Sequence, residues 1–163
     1  MSIKNKTFIM KLLGCALIPI LTLIIVINLR STPTPSFEAV SGQSYSWKSE
    51  KWTLVNYFAE WCKPCLEELP ELNELAQAGD LRIFGISYDS LSDQEIMDLK
   101  KRYQIQFPVL QTSSLETLPM SLPAVLPTTY ILSPDGEIVD VLHGKVTIEG
   151  IETLLEKHQH GKS

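Results

Sequence analysis

Cysteine, histidine and basic residues are scarce in this chain. Its 163 residues include three cysteines and three histidines. So few cysteines exclude a small fold that is held together by several disulfides. Basic residues number 14 against 19 acidic ones, and the resulting formal charge of −5 argues against nucleic acid as a partner. The chain also has no internal repeat, so a solenoid or other repeat architecture is excluded.

A charge-free apolar run lies near the N-terminus. It covers residues 12–29 and has the sequence LLGCALIPILTLIIVINL. At about 1.5 Å per residue, a helix of this length can span the hydrocarbon core of a bilayer. We therefore expect residues 12–29 to form a transmembrane anchor in the lipid bilayer. Residues 1–11 would then precede the membrane span, and residues 30–36 would form a short linker.

The charges on either side of the apolar run predict its orientation. Arg30 alone follows it directly, whereas three lysines precede it: Lys4, Lys6 and Lys11. By the positive-inside rule, residues 1–11 lie in the cytoplasm and the remainder of the chain lies outside a bacterial cytoplasmic (inner) membrane, on the periplasmic or extracytoplasmic side. Two alternatives stay open. The run could be a cleaved signal peptide, or Cys15 could carry a lipid, since Leu12-Leu13-Gly14-Cys15 faintly resembles a bacterial lipoprotein box.

Two of the three cysteines form the motif Trp61-Cys62-Lys63-Pro64-Cys65. An apolar segment, Thr53 to Ala59, precedes the motif and predicts a central strand that is covered on both faces. Leucines at helical spacing follow it and predict a helix. Cys62 would then lie at the helix N-terminus, where free N–H groups and the macrodipole favour a thiolate. The motif therefore predicts a redox-active dithiol in which Cys62 is exposed and nucleophilic and Cys65 is more buried and resolving.

Two other interpretations of the motif compete with the redox-active dithiol. A structural zinc site needs four ligands, and outside the motif the chain offers only Cys15 and three histidines: His143, His158 and His160. A static structural disulfide is the other interpretation, and a bridge over so short a loop stabilises a fold little. We therefore expect no metal and no cofactor.

The rest of the chain alternates strand and helix patterns. The predicted elements, in order, are a hairpin from Phe37 to Trp47, a strand from Leu81 to Tyr88, a helix from the capping box at Ser92 to Tyr103, a short strand from Phe107 to Leu110, a hairpin of Thr128 to Leu132 and Glu137 to Leu142, and a last helix capped by Thr147. This order predicts one α/β domain over residues 37–158. A frayed tail of residues 159–163 would follow it, with His158 and His160 in solvent.

The segment from Val55 to Cys65 resembles the active-site strand and loop of the thioredoxin superfamily. Pro70 matches the proline that kinks the first helix of that family, and Leu126-Pro127-Thr128-Thr129 resembles its cis-proline loop. The resemblance implies a thioredoxin-like fold, with a central mixed sheet flanked by helices. It is nearest to the TlpA/ResA-like membrane-anchored thioredoxins, and it covers roughly residues 37 to 158.

The resemblance also implies roles for individual residues. Cys62 and Cys65 would form the redox-active disulfide, and the substrate would contact Trp61, Leu126, Pro127 and Thr128. Asn56 lies where cytosolic thioredoxins carry a buried aspartate, and Glu68 matches the acidic residue of ResA-like proteins. Glu68 could therefore relay the proton of Cys65, with a raised pKa. The alternative is that Glu68 is a surface glutamate like its neighbours.

The implied function is reduction of protein disulfides outside the cytoplasm, with apocytochrome c as a possible substrate and a membrane electron donor of the thiol-disulfide relay type. The segment Pro123-Ala124-Val125-Leu126-Pro127-Thr128 departs from the pattern of dedicated cytochrome c maturation proteins. A disulfide oxidase or isomerase, and a membrane-tethered binding module without catalysis, remain alternatives. A peroxidase is disfavoured, because the peroxiredoxin pattern Pro-x-x-x-Thr-x-x-Cys is absent around Cys62.

Overall fold

The computed structural model of this protein describes residues 36–160. Six strands and three α-helices follow one another in this range: β1 Ser36–Glu38, β2 Ser44–Ser46, β3 Thr53–Phe58, α1 Lys63–Ala78, β4 Arg82–Ser87, α2 Asp93–Arg102, β5 Thr128–Leu132, β6 Ile138–His143 and α3 Ile148–His160. A 3₁₀ helix, Thr112–Thr117, precedes β5. The sequence predicted this alternation of strands and helices.

The main sheet has four strands in the order β4-β3-β5-β6. Strand β3 is parallel to β4 and antiparallel to β5, and β5 is antiparallel to β6. The mixed sheet of the predicted thioredoxin-like fold is therefore present. Strands β1 and β2 pair with each other in a separate hairpin, as predicted.

Strand β3 is the centre of the domain, and all six of its residues are buried. Alternate side chains of a strand point to opposite faces. Leu54 and Phe58 join a core cluster with the apolar residues of α1, whereas Val55 and Tyr57 join a second cluster with Phe37 of the hairpin. The prediction of a strand covered on both faces is confirmed.

Helix α1 begins where the sequence predicted it. Cys62 is its N-cap residue, and the Cys62 sulfur accepts a hydrogen bond from the Cys65 N–H at 3.3 Å. Pro64 lies in the first turn, where its missing N–H is tolerated. Pro70 lies inside the helix, which continues to Ala78 and ends at Gly79, whose φ of 79° suits glycine.

Helices α2 and α3 begin at the predicted caps. Ser92 and Glu95 form a capping box at the start of α2, and the Thr147 hydroxyl accepts a hydrogen bond from the Gly150 N–H at the start of α3. Helix α3 reaches His160, two residues beyond the predicted end of the domain. The prediction that His158 lies in solvent is wrong, because its Nε2 lies 3.3 Å from Asp140 Oδ2.

The predicted strand Phe107 to Leu110 is reduced to two isolated bridges. Val109 pairs with Gly85 in parallel, and Leu110 pairs with Ala39 in antiparallel orientation. Because each residue pairs with a different segment, no continuous ladder forms.

The predicted anchor, residues 12–29, and most of the linker lie outside the described residues. Within residues 36–160, no helix combines the length and the apolar composition that a membrane span requires.

Candidate active site

Cys62 and Cys65 lie where β3 ends and α1 begins. Their sulfurs form a disulfide with an S–S distance of 2.01 Å and a Cα–Cα distance of 5.3 Å. The predicted order of burial is confirmed, since Cys65 is 0% exposed and Cys62 is 5% exposed. The expectation that Cys62 is well exposed is wrong for this oxidised form, in which the disulfide lies against the core. Free N–H groups at the helix start would favour a thiolate at Cys62 after reduction.

Glu68 is buried, although its helix also carries two exposed glutamates, Glu67 and Glu74. Its side chain is 0% exposed, so the alternative of a surface residue is wrong. Glu68 Oε1 accepts a hydrogen bond from Asn56 Nδ2 at 2.7 Å, and Oε2 accepts one from the Val146 N–H at 2.8 Å. Burial raises the pKa of Glu68, while these two hydrogen bonds and the nearby charge of Lys145 partly offset that rise. The predicted direction of the pKa shift is confirmed.

Cys65 and Glu68 are three residues apart on α1. Residues at this spacing lie about one turn apart on the same helix face. Both side chains are fully buried in the layer between α1 and the sheet. The carboxyl group of Glu68 is therefore held, out of water, on the helix face that carries the Cys65 sulfur.

Asn56 connects this helix to the sheet. Its side-chain amide has two N–H donors, and they bind Glu68 Oε1 and, at 3.0 Å, Thr129 Oγ1. Asn56 Oδ1 is buried and has no hydrogen-bond partner among the described residues. An amide at this position can orient Glu68 but cannot accept the proton of a thiol as a carboxylate would.

The bond between Leu126 and Pro127 is cis, as the resemblance implied. Pro127 O accepts a hydrogen bond from the Gly144 N–H at 2.8 Å. The Thr128 hydroxyl donates to Val125 O at 2.9 Å. We call Leu126 to Thr129 the cis-proline loop. Leu126 packs against both core clusters, one of which includes Cys62 and Cys65.

Trp61 is the most exposed large apolar side chain among those described, with 65% of its surface accessible. Its Nε1–H donates to both carboxylate oxygens of Asp89, at 3.0 and 3.2 Å. The ring also meets Tyr88 edge-on, with 6.1 Å between centroids. The indole ring is therefore held in one orientation although it faces solvent.

The sequence analysis did not predict the hydrogen-bond partners of Asn56, Glu68 and Trp61. Thr129, Val146 and Asp89 each reach the site from another element. Only the position of Asp89 could have been predicted from the sequence, since Asp89 follows β4. Because β3 and β4 are parallel neighbours, the residues after them meet at one edge of the sheet. The contacts of Thr129 with Asn56 and of Val146 with Glu68 join residues more than 70 positions apart in the chain, and no local sequence pattern predicts them.

No group of three or more His, Cys, Asp or Glu side chains in the described part of the chain is arranged to hold a metal ion. The chemistry that the site offers is that of the two sulfurs. A buried carboxyl lies one helical turn away, and a cis-proline loop packs against the same core cluster.

The chain resembles several known bacterial proteins. It is 29% identical over 110 residues to the thiol-disulfide oxidoreductase ResA of Bacillus thuringiensis subsp. konkukian. The aligned residues cover 66% of this chain and 63% of ResA. It is also 29% identical over 133 residues to the thioredoxin-like protein YneN of Bacillus subtilis, with 78% of each chain covered. The chain thus spans less than two thirds of the length of the first of these relatives.

The fold resembles that of StoA from Bacillus subtilis, with a TM-score of 0.62 and 22% identity over 74% of this chain and 94% of StoA. This likeness shows the thioredoxin-like architecture. The sequence model of the AhpC/TSA family matches residues 29–141, which include the dithiol, Glu68 and the cis-proline loop. This chain therefore belongs to the AhpC/TSA family of thioredoxin-like proteins.

Proposed function

We propose that this protein is a membrane-anchored thiol-disulfide oxidoreductase that reduces protein disulfides on the outer side of a bacterial cytoplasmic membrane. The observation that carries the proposal is the Cys62–Cys65 disulfide at the N-terminus of α1, with the buried Glu68 one turn beyond Cys65. The relative ResA is named a thiol-disulfide oxidoreductase, and 29% of its aligned residues are identical to those of this chain.

The proposed reaction transfers two electrons from the dithiol to a substrate disulfide. The thiolate of Cys62 attacks one substrate sulfur, a mixed disulfide forms, and the other substrate sulfur leaves as a thiolate that takes up a proton. Cys65 then loses its proton and attacks the sulfur of Cys62. The mixed disulfide breaks, the second substrate thiol is released, and the Cys62–Cys65 disulfide remains. A membrane electron donor of the thiol-disulfide relay type would reduce it again.

Glu68 is proposed to accept the proton of Cys65 in the second step. A carboxyl group with a raised pKa is a better proton acceptor than an ordinary glutamate. Its burial raises the pKa, and its place on the Cys65 face of α1 puts it within one turn of the thiol. Asn56 and the Val146 N–H hold the two carboxyl oxygens in place.

Trp61, Leu126, Pro127 and Thr128 are proposed to form the substrate contact. An extended substrate strand would pair with the backbone of the cis-proline loop, and apolar side chains beside its cysteine would meet exposed apolar surface. Trp61 and Val125 supply such surface, since they are 65% and 53% exposed. Apocytochrome c would be one substrate of this class.

The redox potential tests the direction of electron flow. A reductase should equilibrate near the thioredoxin value of about −270 mV, whereas a strong oxidant lies near about −120 mV. Titration of residues 31–163 against glutathione, read by alkylation of free thiols, measures the potential. Cys62→Ser supplies the baseline without a dithiol.

A midpoint above about −150 mV would contradict the reductase and favour an oxidase or isomerase. Full biological activity of Cys62→Ser would instead point to a binding module whose dithiol is incidental.

A further inference from the structure

His143 is the last residue of β6 and lies opposite the cis-proline loop. It pairs with Thr128 across the antiparallel strands β5 and β6. Its Nδ1 is 3.0 Å from Thr128 Oγ1. His143 is exposed, whereas Thr128 is 0% exposed. A surface imidazole thus reaches a buried hydroxyl at the centre of the loop.

The number of hydroxyl protons fixes the direction of this hydrogen bond. Thr128 has one hydroxyl proton, and Oγ1 donates it to Val125 O at 2.9 Å. The same oxygen can then only accept from His143. Nδ1 of His143 therefore carries a proton, and in the neutral ring Nε2 is the acceptor nitrogen.

The residue after His143 makes a second contact with the loop. The Gly144 N–H donates to Pro127 O at 2.8 Å. Two consecutive residues thus hold two consecutive loop residues. Two positions later the Val146 N–H binds Glu68 Oε2. Residues 143–146 therefore contact both the cis-proline loop and the buried carboxyl group.

We propose that His143 is a positioning residue of the active site, whose Nδ1–H holds Thr128 and keeps the cis-proline loop in the conformation that pairs with an extended substrate. The inference rests on the proposed function, because it assigns His143 a part in binding the disulfide substrate. Removing the imidazole donor leaves the Thr128–Val125 hydrogen bond and the Gly144 contact intact. The cis-proline loop then stays folded, but Thr128 has lost its hydrogen bond from His143.

Steady-state kinetics with two substrates test this role. One substrate is a disulfide-linked extended peptide, which would pair with the loop, and the other is 5,5′-dithiobis(2-nitrobenzoate), which is too small to do so. His143→Phe should raise KM for the peptide about fivefold, the effect of losing one neutral hydrogen bond, with kcat nearly unchanged. The rate with the small disulfide should stay the same. His143→Asn, which offers an amide donor near the position of Nδ1, should restore KM to within about twofold.

A Thr128→Val background supplies the matched control. Because the proposed bond is already absent there, adding His143→Phe should have no further effect on KM. Additive effects, an unchanged KM in His143→Phe, or equal losses on both substrates would overturn the inference.

Ring nitrogen NMR gives a readout that does not depend on activity. In the wild type at a pH where the ring is neutral, His143 should show the Nδ1-protonated tautomer, and Thr128→Val should abolish that preference. An Nε2-protonated ring in the wild type would overturn the inference. If the wild type reduced neither disulfide, the proposed function would fail, and the tautomer would still decide whether the His143–Thr128 bond exists.

Discussion

Glu68 is a carboxyl group with two hydrogen-bonding neighbours, Asn56 and Val146, and no access to solvent. Desolvation raises its pKa, and the hydrogen bonds from Asn56 and Val146 lower it again in part. The net shift is upward, so the protonated form is more populated than in an exposed glutamate. The same residue is thereby suited to take a proton from a buried thiol and to return it later.

Replacing Glu68 by Gln should slow thiol-disulfide exchange by about a hundredfold, the lower end of what general acid–base catalysis contributes. The pH dependence of the exchange rate should also change, because Gln cannot titrate. Stopped-flow measurement of substrate reduction across about pH 5 to 9 checks both. Glu74→Gln is the matched control, since it removes the same charge from an exposed position of α1. A Glu68→Gln profile identical to the wild-type profile would remove Glu68 from the mechanism.

The raised pKa of Glu68 also predicts how stability depends on pH. A folded-state pKa above the unfolded value means that the native protein binds the proton more tightly. Its contribution to stability is then fully present below the ordinary value of 4.5 and is lost as the pH rises through the folded-state pKa. The unfolding free energy of the wild type, relative to Glu68→Gln, should therefore fall as the pH rises above about 4.5. Urea unfolding of both proteins at several pH values measures the difference, and a rise would contradict the assignment.

The order of the two thiols gives a further prediction at the level of single residues. Cys65 is fully buried, whereas Cys62 retains 5% exposure and caps the helix. In a Cys15→Ser background, Cys65→Ala should accumulate mixed disulfides between Cys62 and substrates, because no second thiol resolves them. Cys62→Ala should accumulate almost none. Non-reducing gels of both variants, compared with the double variant, show the difference. Trapping mainly through Cys65 would reverse the assigned roles.

At the level of elements, the helix starts are the features that local sequence determines best. The Ser92 hydroxyl accepts the Glu95 N–H, and Glu95 Oε2 accepts the Ser92 N–H at 2.8 Å. Glu95 Oε2 also accepts a hydrogen bond from the Ser92 hydroxyl at 2.6 Å, and the hydroxyl and N–H donors of Ser92 together lower the pKa of Glu95. Both residues of the box lie within three positions of each other, and the sequence pattern alone predicted it.

Loss of this cap gives an element-scale prediction. Ser92→Ala should lower the free energy of unfolding by about 1 kcal/mol, because one N–H at the start of α2 loses its acceptor. Ser90→Ala is the control, since Ser90 is exposed and has no side-chain hydrogen bond in the described part of the chain. Urea unfolding monitored by circular dichroism measures both. Equal stability of the two variants would mean that the cap contributes nothing.

What the sequence could not predict depends on pairing between distant elements. The strand β3 and the helix caps follow from patterns within a few residues, whereas the cis-proline loop was implied only by the family resemblance. The contacts of Asn56 with Thr129 and of Glu68 with Val146 require β5 and the segment after β6 to lie beside β3 and α1. The predicted strand at Phe107 to Leu110 failed for the same reason, because a short apolar run also suits a buried connection that pairs at single positions.

At the level of the whole molecule, charge is divided unevenly along the chain. Residues 1–30 hold four basic and no acidic residues, so that the remainder carries a formal charge near −9 although the whole chain has −5. An acidic domain does not favour contact with anionic lipid head groups or nucleic acid. The basic residues before the apolar run instead favour an orientation in which residues 1–11 lie in the cytoplasm.

The proposed topology predicts which part of the protein a protease can reach. Protease added to intact spheroplasts that express the full chain should digest residues 31–163, because the positive-inside rule places them outside the membrane. A cytoplasmic marker protein in the same sample should stay intact until the spheroplasts are lysed. Replacing Lys4, Lys6 and Lys11 together by Gln should increase the protected fraction, since the charge difference across the run is then lost. A full-length wild-type band that survives in intact spheroplasts and disappears after lysis would place the dithiol in the cytoplasm.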